Sequence, residues 1–417
     1  MKFDFFFSVP FWITFLAIVI ATRLLDRQTS ARRCLLLAAS ALMVLSIPSF
    51  TLPNLIYLLI LSIVSYLFGN ALIRSPLLAG AALRRSIAAL GIAAVLGFLM
   101  FFKYGFVQAA VLGGAPPGRP SASRMVFMIG VSYFSFKMIH FIVESYRKKI
   151  ERPSLLVYLT YILLFPSFIS GPINRINQFA PQLNDGASRD LKQDLIIGGE
   201  RIVRGLFKKL VLVQLIHPYV LGNPPRADTA LSLGAVVLGL YAYAFYFYFD
   251  FSGYTDLAIG TARLLGVQLP ENFNVPFLKR NIRELWTNWH MSLTSWLVDY
   301  IYWPLVRKLR DVKSLRAHPV LLSNLGMIVT FIACGMWHGE TANFLVWGAY
   351  HGLGISILTV YQRQKKKVTK PALQRYFRSR TSLVAGIFFT FNFFALGLIF
   401  FVLDMKSLAA LLRSLLF

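Results

Sequence analysis

Two short stretches hold the side chains best suited to proton transfer. The first is Leu285–Trp296, LWTNWHMSLTSW, with three tryptophans, His290 and several small hydroxyl residues. The second is Met336–Gly352, MWHGETANFLVWGAYHG, where two apolar runs meet at His338. Imidazole titrates near neutral pH and can take a proton from a hydroxyl. An ionisable group among apolar residues is costly to keep, so His338 is a candidate for chemistry, with a satisfied structural histidine as the alternative. His318 sits in a basic loop and reads as solvated. His140 and His217 lie near the ends of apolar runs, where structural roles suit them. Asp250 and Asp256 bracket FSGYT, Asp299 lies in VDYIY and Glu144 ends an apolar run. Such acids pair with Arg or Lys or cap a helix end. Ser292 and Ser295 are the candidate nucleophiles for a covalent route, without an obvious His–Asp arrangement beside them. The chain has no phosphate-binding P-loop, dinucleotide fingerprint or H-E-x-x-H zinc motif.

The elements that must position these residues are apolar helices. Of 417 residues, 57% are hydrophobic, 15% aromatic and 14% charged. A soluble domain carries about 25% charged residues. Apolar runs of about 17–25 residues recur from end to end, the length that crosses a bilayer. Candidate spans fall near 5–22, 33–48, 52–73, 86–106, 124–144, 154–171, 195–222, 229–250, 319–337, 342–362 and 383–403. The class is all-α: a polytopic integral membrane protein of about ten or eleven transmembrane helices. The N-terminal run reads as a retained first span and not a cleaved signal. No soluble domain stands apart, so residues 1–417 form a single domain. The segment GGAPPGRPSAS at 113–123 reads as an exposed connection.

The formal net charge is +26. Nucleic-acid binding is not the reading, because the basic residues sit in short loops between apolar runs. Arg23, Arg27, Arg32 and Arg33 form one group, and Arg147, Lys148 and Lys149 another. Residues 363–380 hold eight Lys or Arg and no acid. This is the positive-inside pattern, and such loops also attract anionic membrane lipids or an acidic cytosolic partner. Cys34 and Cys334 both lie in apolar runs, which disfavours a disulfide or a thiolate metal site.

Two segments, 171–194 and 270–318, are too polar to span and too apolar for free linkers. In the second, Trp286, Trp289, His290, Leu293, Trp296, Leu297 and Tyr300 recur at helical spacing. They predict one amphipathic helix, held at the membrane interface or packed on the bundle, with His290 turned away from bulk water.

Three segments together resemble the membrane-bound O-acyltransferase family. FDFSGYTDLAIGTARLLGVQLPENFNVPFLKRNIRELWTNWHMSLTSWLVDYIYWPL is similar to its signature region, MWHGETANFLVWGAYHG to the segment of its active-site histidine, and FPSFISGPINRINQF at 165–179 to a third motif. They cover about residues 125–355. The resemblance is to the bacterial cell-envelope branch, whose members O-acetylate alginate or transfer D-alanine to teichoic acid. It implies a ring of helices around a central funnel or tunnel in the bacterial cytoplasmic membrane, with interfacial amphipathic helices. It implies transfer of a D-alanyl or acetyl group from a cytoplasmic thioester to hydroxyls of an envelope polysaccharide or glycolipid. His338 matches the family's active-site histidine and would be the general base. His290 matches the second histidine. Asn288, Trp289, Ser292 and Trp337 would line the substrate path. No metal and no tightly bound cofactor are implied. The donor would be a phosphopantetheine carrier protein or acetyl-coenzyme A. An acidic carrier could dock on the basic loops, and an extracytoplasmic acyltransferase could complete the transfer. Val298 stands where relatives often have Arg, and Val306-Arg307 where acetylating relatives have Gly-Gly. Both departures, and the short tail after the last run, lean toward the D-alanyl type. The rival readings are a transporter, or a scaffold without chemistry of its own.

Overall fold

The computed structural model describes residues 8–25, 29–74, 80–112, 128–184, 190–221 and 232–416. The connection at 113–123 lies outside them. Among the described residues the structure is helical, with one isolated β-bridge, Phe273–Trp289. Six helices among the described residues are long and apolar enough to cross a membrane. They are α1 (Leu52–Arg74), α2 (Ala81–Lys103), α3 (Leu233–Leu264), α4 (Pro319–His338), α5 (Ala342–Lys365) and α6 (Arg380–Gly397), which continues into Ile399–Val402. Val9–Leu24 is apolar but shorter. The chain is a polytopic membrane protein.

Other expected spans are shorter or interrupted. The run 154–171 stops as a helix at Leu163, passes through a non-helical Leu164, and restarts at Phe165–Phe168. Pro166 has no N–H to give a helix interior, but fits the first turn of a new one. The run 195–222 begins as Leu191–Phe207 and then takes a π-helical turn over Lys208–Leu212.

Two compact units divide the chain: Met1–Arg204 with Tyr254–Pro270, and Gly205–Gly253 with Glu271–Phe417. In the first, α1 and α2 pack on Val131–Tyr146, whose residues are nearly all buried. Lys137 is 1% exposed; its Nζ donates to Tyr161 O (3.1 Å) and Ser167 Oγ (3.0 Å). His140 has the structural role expected of it, its Nε2 accepting from Ile176 N–H (3.2 Å). Asp256 pairs with Arg201 and Glu144 with Arg147, as anticipated for such acids.

Arg23 and Arg32 do more than weight a loop with charge. Arg23 donates to Leu264 O (2.8 Å) and Arg263 O (3.0 Å), and Arg32 to Leu265 O (3.2 Å) and Gly266 O (3.3 Å). The last carbonyls of a helix lack internal donors and carry partial negative charge, so guanidinium groups satisfy both needs at the end of α3. Buried Asp194 binds Arg23 (2.9 Å) and Arg263 (2.6 Å), offsetting charge that would otherwise stand uncompensated.

In the second unit the core is aromatic. Leu285, Trp286, Trp289, Trp347, Phe394 and Leu398 are buried there, with Phe247, Phe277 and Phe401 packed against them. Lys209, on the π-helical turn, pairs with Asp250 of α3.

Replacing Asp194 by Asn leaves two arginines without their counter-charge. We expect a cost of about 3–5 kcal/mol, seen as a lowered unfolding temperature in detergent. Glu200→Gln, which opens an exposed Glu200–Arg204 pair, should change it little.

Candidate active site

His338 is the last residue of α4. Gly339 is extended, and α5 begins at Ala342. This connection is a tight turn with Glu340 exposed. The two helices approach closely because glycines face backbone. A Cβ on Gly335 would lie 2.2 Å from Phe344 O, and one on Gly348 would lie 2.4 Å from Phe331 O. Neither position tolerates a side chain without separating the helices. The close approach sets Trp347 against His338, with ring centroids 5.1 Å apart. Trp337 (4.5 Å) and Phe401 (4.8 Å) complete an aromatic wall around the half-buried imidazole.

His290 sits at a second turn, and here the expected continuous helix is corrected. Ile282–Thr287 is one short helix and Met291–Leu297 another. His290 lies between them in the left-handed region, with φ 43° and ψ 52°. Periodicity alone misses the break because both short helices keep the stripe in phase. The cause lies 18 residues upstream in Asn272, which is fully buried. Its backbone carbonyl accepts from Met291 N–H (2.9 Å). Its Oδ1 accepts from Ser292 N–H (3.2 Å) and Ser292 Oγ–H (2.6 Å). Asn288 O accepts from Asn274 N–H (3.1 Å). These bonds hold a strained residue that would otherwise cost on the order of 1–3 kcal/mol.

His290 is 5% exposed, edge-on to Phe251 at 4.6 Å. Burial pushes its imidazole down to about 3, because the charged form loses its solvation. It is neutral at pH 7, with one ring donor and one ring acceptor.

The two turns share one aromatic network. From His290 it runs through Phe251, Phe247 (6.5 Å) and Phe401 (5.7 Å) to His338. Trp289 is in it, 5.6 Å from Phe247 and 4.9 Å from Phe394. Of the residues expected to line a substrate path, Trp289 and Trp337 therefore stand beside the histidines. Asn288 uses its amide to donate to Glu284 O (2.8 Å), closing the helix before the turn. Ser292 fastens to Asn272, and Ser295 Oγ donates to Ser292 O (3.0 Å). Sequence reasoning missed Asn272, Trp347 and Phe401. Asn272 carries a readable signal, an amide next to Phe273 in PENFNVPF; Phe401 carries none.

Asn272→Ala removes the acceptor for two buried donors, which costs about 2–3 kcal/mol. Its unfolding temperature in detergent should fall clearly, while Asn288→Ala, at a half-buried site, should fall less. The His290 imidazole should not titrate between pH 5 and 8 by NMR of ring-labelled protein. A midpoint near the ordinary value of about 6.5 would contradict its burial.

Comparison with known proteins places the chain in a family. The family model of the membrane-bound O-acyltransferases matches residues 78–403. The chain is 30% identical over 314 residues to the teichoic acid D-alanyltransferase of Streptococcus thermophilus, covering 72% of this chain and 75% of that one. It is 31% identical over 242 residues to the probable alginate O-acetylase of Pseudomonas fluorescens, covering 56% and 45%. It is 27% identical over 338 residues to the peptidoglycan O-acetyltransferase of Helicobacter pylori, covering 75% and 61%. A match over most of the chain, laid on a polytopic helical fold, makes this protein a member of the membrane-bound O-acyltransferase family.

Proposed function

We propose that the protein transfers an acyl group, D-alanyl or acetyl, from a thioester on the cytoplasmic side to hydroxyls of a bacterial cell-envelope polymer. The observation that carries this reading is His338, held half-buried at the tight α4–α5 turn by Trp337, Trp347 and Phe401. The relatives named above act on envelope polymers, and their bacterial sources support a place in the cytoplasmic membrane.

The chemistry follows from the groups present. A thioester is already activated, whereas a hydroxyl is a weak nucleophile. His338 takes the hydroxyl proton as the oxygen attacks the acyl carbon. A C–O bond forms, the C–S bond breaks, and the proton passes from imidazole to the departing thiolate. Trp337, Trp347 and Phe401 stand around the ring, so the imidazolium forms among aromatic side chains. His290 is too weakly basic for this step once buried. It orients the acyl carbonyl or the acceptor through a hydrogen bond. A covalent acyl-serine is disfavoured, because Ser292 Oγ already gives its proton to Asn272 Oδ1.

The basic end of α5 and the helix Pro371–Arg378 carry Arg363, Lys365, Arg375 and Arg378. They suit an acidic carrier protein, drawn in by electrostatic steering. Anionic lipid meets the same loops, and an extracytoplasmic acyltransferase is a partner for a relayed acyl group.

The test is acyl transfer by purified protein in liposomes, supplied with labelled acetyl and D-alanyl thioesters. His338→Ala should lower kcat by about 10²–10⁴-fold while remaining folded. Transfer as fast as wild type would remove His338 as the base and favour a scaffold.

A further inference from the structure

Arg283 is half-buried and its hydrogen-bond partners are neutral side chains. Arg283 donates through Nη2 to Thr359 Oγ1 (2.6 Å) and through Nη1 to Gln362 Oε1 (3.3 Å), both on α5. The hydroxyl of Thr359 donates onward to Ile355 O (2.8 Å), so it is held as an acceptor for the guanidinium. These contacts orient the fork without cancelling its charge. The adjacent carboxylate, Glu284, pairs with Arg280 instead (2.9 Å). Arg363 and Lys365 occupy the last turn of the same helix and add to the positive field. A guanidinium has five N–H donors in a rigid plane and matches phosphate geometry. A preoriented arginine with residual charge has the donors and the charge that a phosphate needs.

Its position is as informative as its charge. Trp347, which touches His338, lies on the same helix as Thr359, twelve residues earlier. At 1.5 Å per residue that interval is about 18 Å. A pantetheine arm has roughly thirteen bonds from phosphorus to sulfur, and an extended chain advances about 1.2 Å per bond, giving about 16 Å. The acyl carbon lies one bond further. The interval along α5 between the residue that holds Arg283 and the residue that touches His338 is thus about the length of the arm that joins a phosphate to a thioester.

We infer that Arg283 binds the phosphate of a phosphopantetheine thioester donor, with α5 as the ruler that sets the acyl group beside His338. This rests on the thioester reading of the function above. Coenzyme A and a carrier protein share this phosphate-to-sulfur chemistry, and the protein would recognise the shared part.

The experiment compares acyl-phosphopantetheine with acyl-pantetheine, the same arm without phosphate, in proteoliposomes of the full chain. Wild type should show a kcat/KM preference of about tenfold or more for the phosphorylated donor, residing in KM. Arg283→Gln should reduce that ratio to near one, and Arg283→Lys should keep part of it. A ratio is insensitive to partial loss of folded protein, which would lower both rates together. A preference unchanged in Arg283→Gln, or absent in wild type, overturns the inference while leaving the acyltransferase reading standing. Transfer from neither thioester overturns the function reading and this one with it. Parallel runs with acyl-coenzyme A and an acyl-carrier protein identify the source, as the donor whose KM rises most in Arg283→Gln.

Discussion

Backbone contact between α4 and α5 is the constraint on which the site depends. Gly335 and Gly348 let the two helices approach to distances that no side chain would permit. In a membrane, helix association draws little from the hydrophobic effect and more from close packing of small residues. The contact fixes the turn that follows His338 and lays Trp347 against its ring. It also sets α5 so that Trp347 meets the histidine toward one end and Thr359 meets Arg283 toward the other. A looser pairing would keep every residue of the motif and lose the spacing between them.

The second histidine is held by a different device. The backbone breaks between two short helices, and broken backbone among apolar side chains is tolerated only where its polar groups find partners. Asn272 supplies most of them, from both its backbone and its side chain. The outcome is a pair of imidazoles in unlike surroundings. His290 is sealed and neutral; His338 is half-buried at the end of a long helix. Surroundings this unlike suit different tasks, and the proposed function gives the orienting one to His290 and the proton to His338.

Much of this was legible in the sequence, and the rest was hidden for definite reasons. The apolar runs that became α1 to α6 are plain from length and composition, although α3 runs on past the expected end at 250 to Leu264. The end of α4 at His338 could be read from the polar Gly-Glu-Thr after it. The break at His290 could not, since a single left-handed residue leaves the apolar stripe in phase. Its cause, Asn272, acts across 18 residues, and such pairings are invisible to periodicity. Arg23 and Arg32 read as loop charges, because nothing near them in sequence shows that the carbonyls of residues 263–266 await donors. Arg283 stands outside the aromatic stripe, and only its neutral partners on α5 give it meaning.

The most direct measurement is a structure of the protein with an unreactive thioether analogue of an acyl-phosphopantetheine donor. The account places the acyl carbonyl beside His338 and within the Trp337–Trp347–Phe401 wall, with the phosphate at Arg283. An arm bound away from α5, or an acyl group out of hydrogen-bond reach of an acceptor poised at His338, would contradict it.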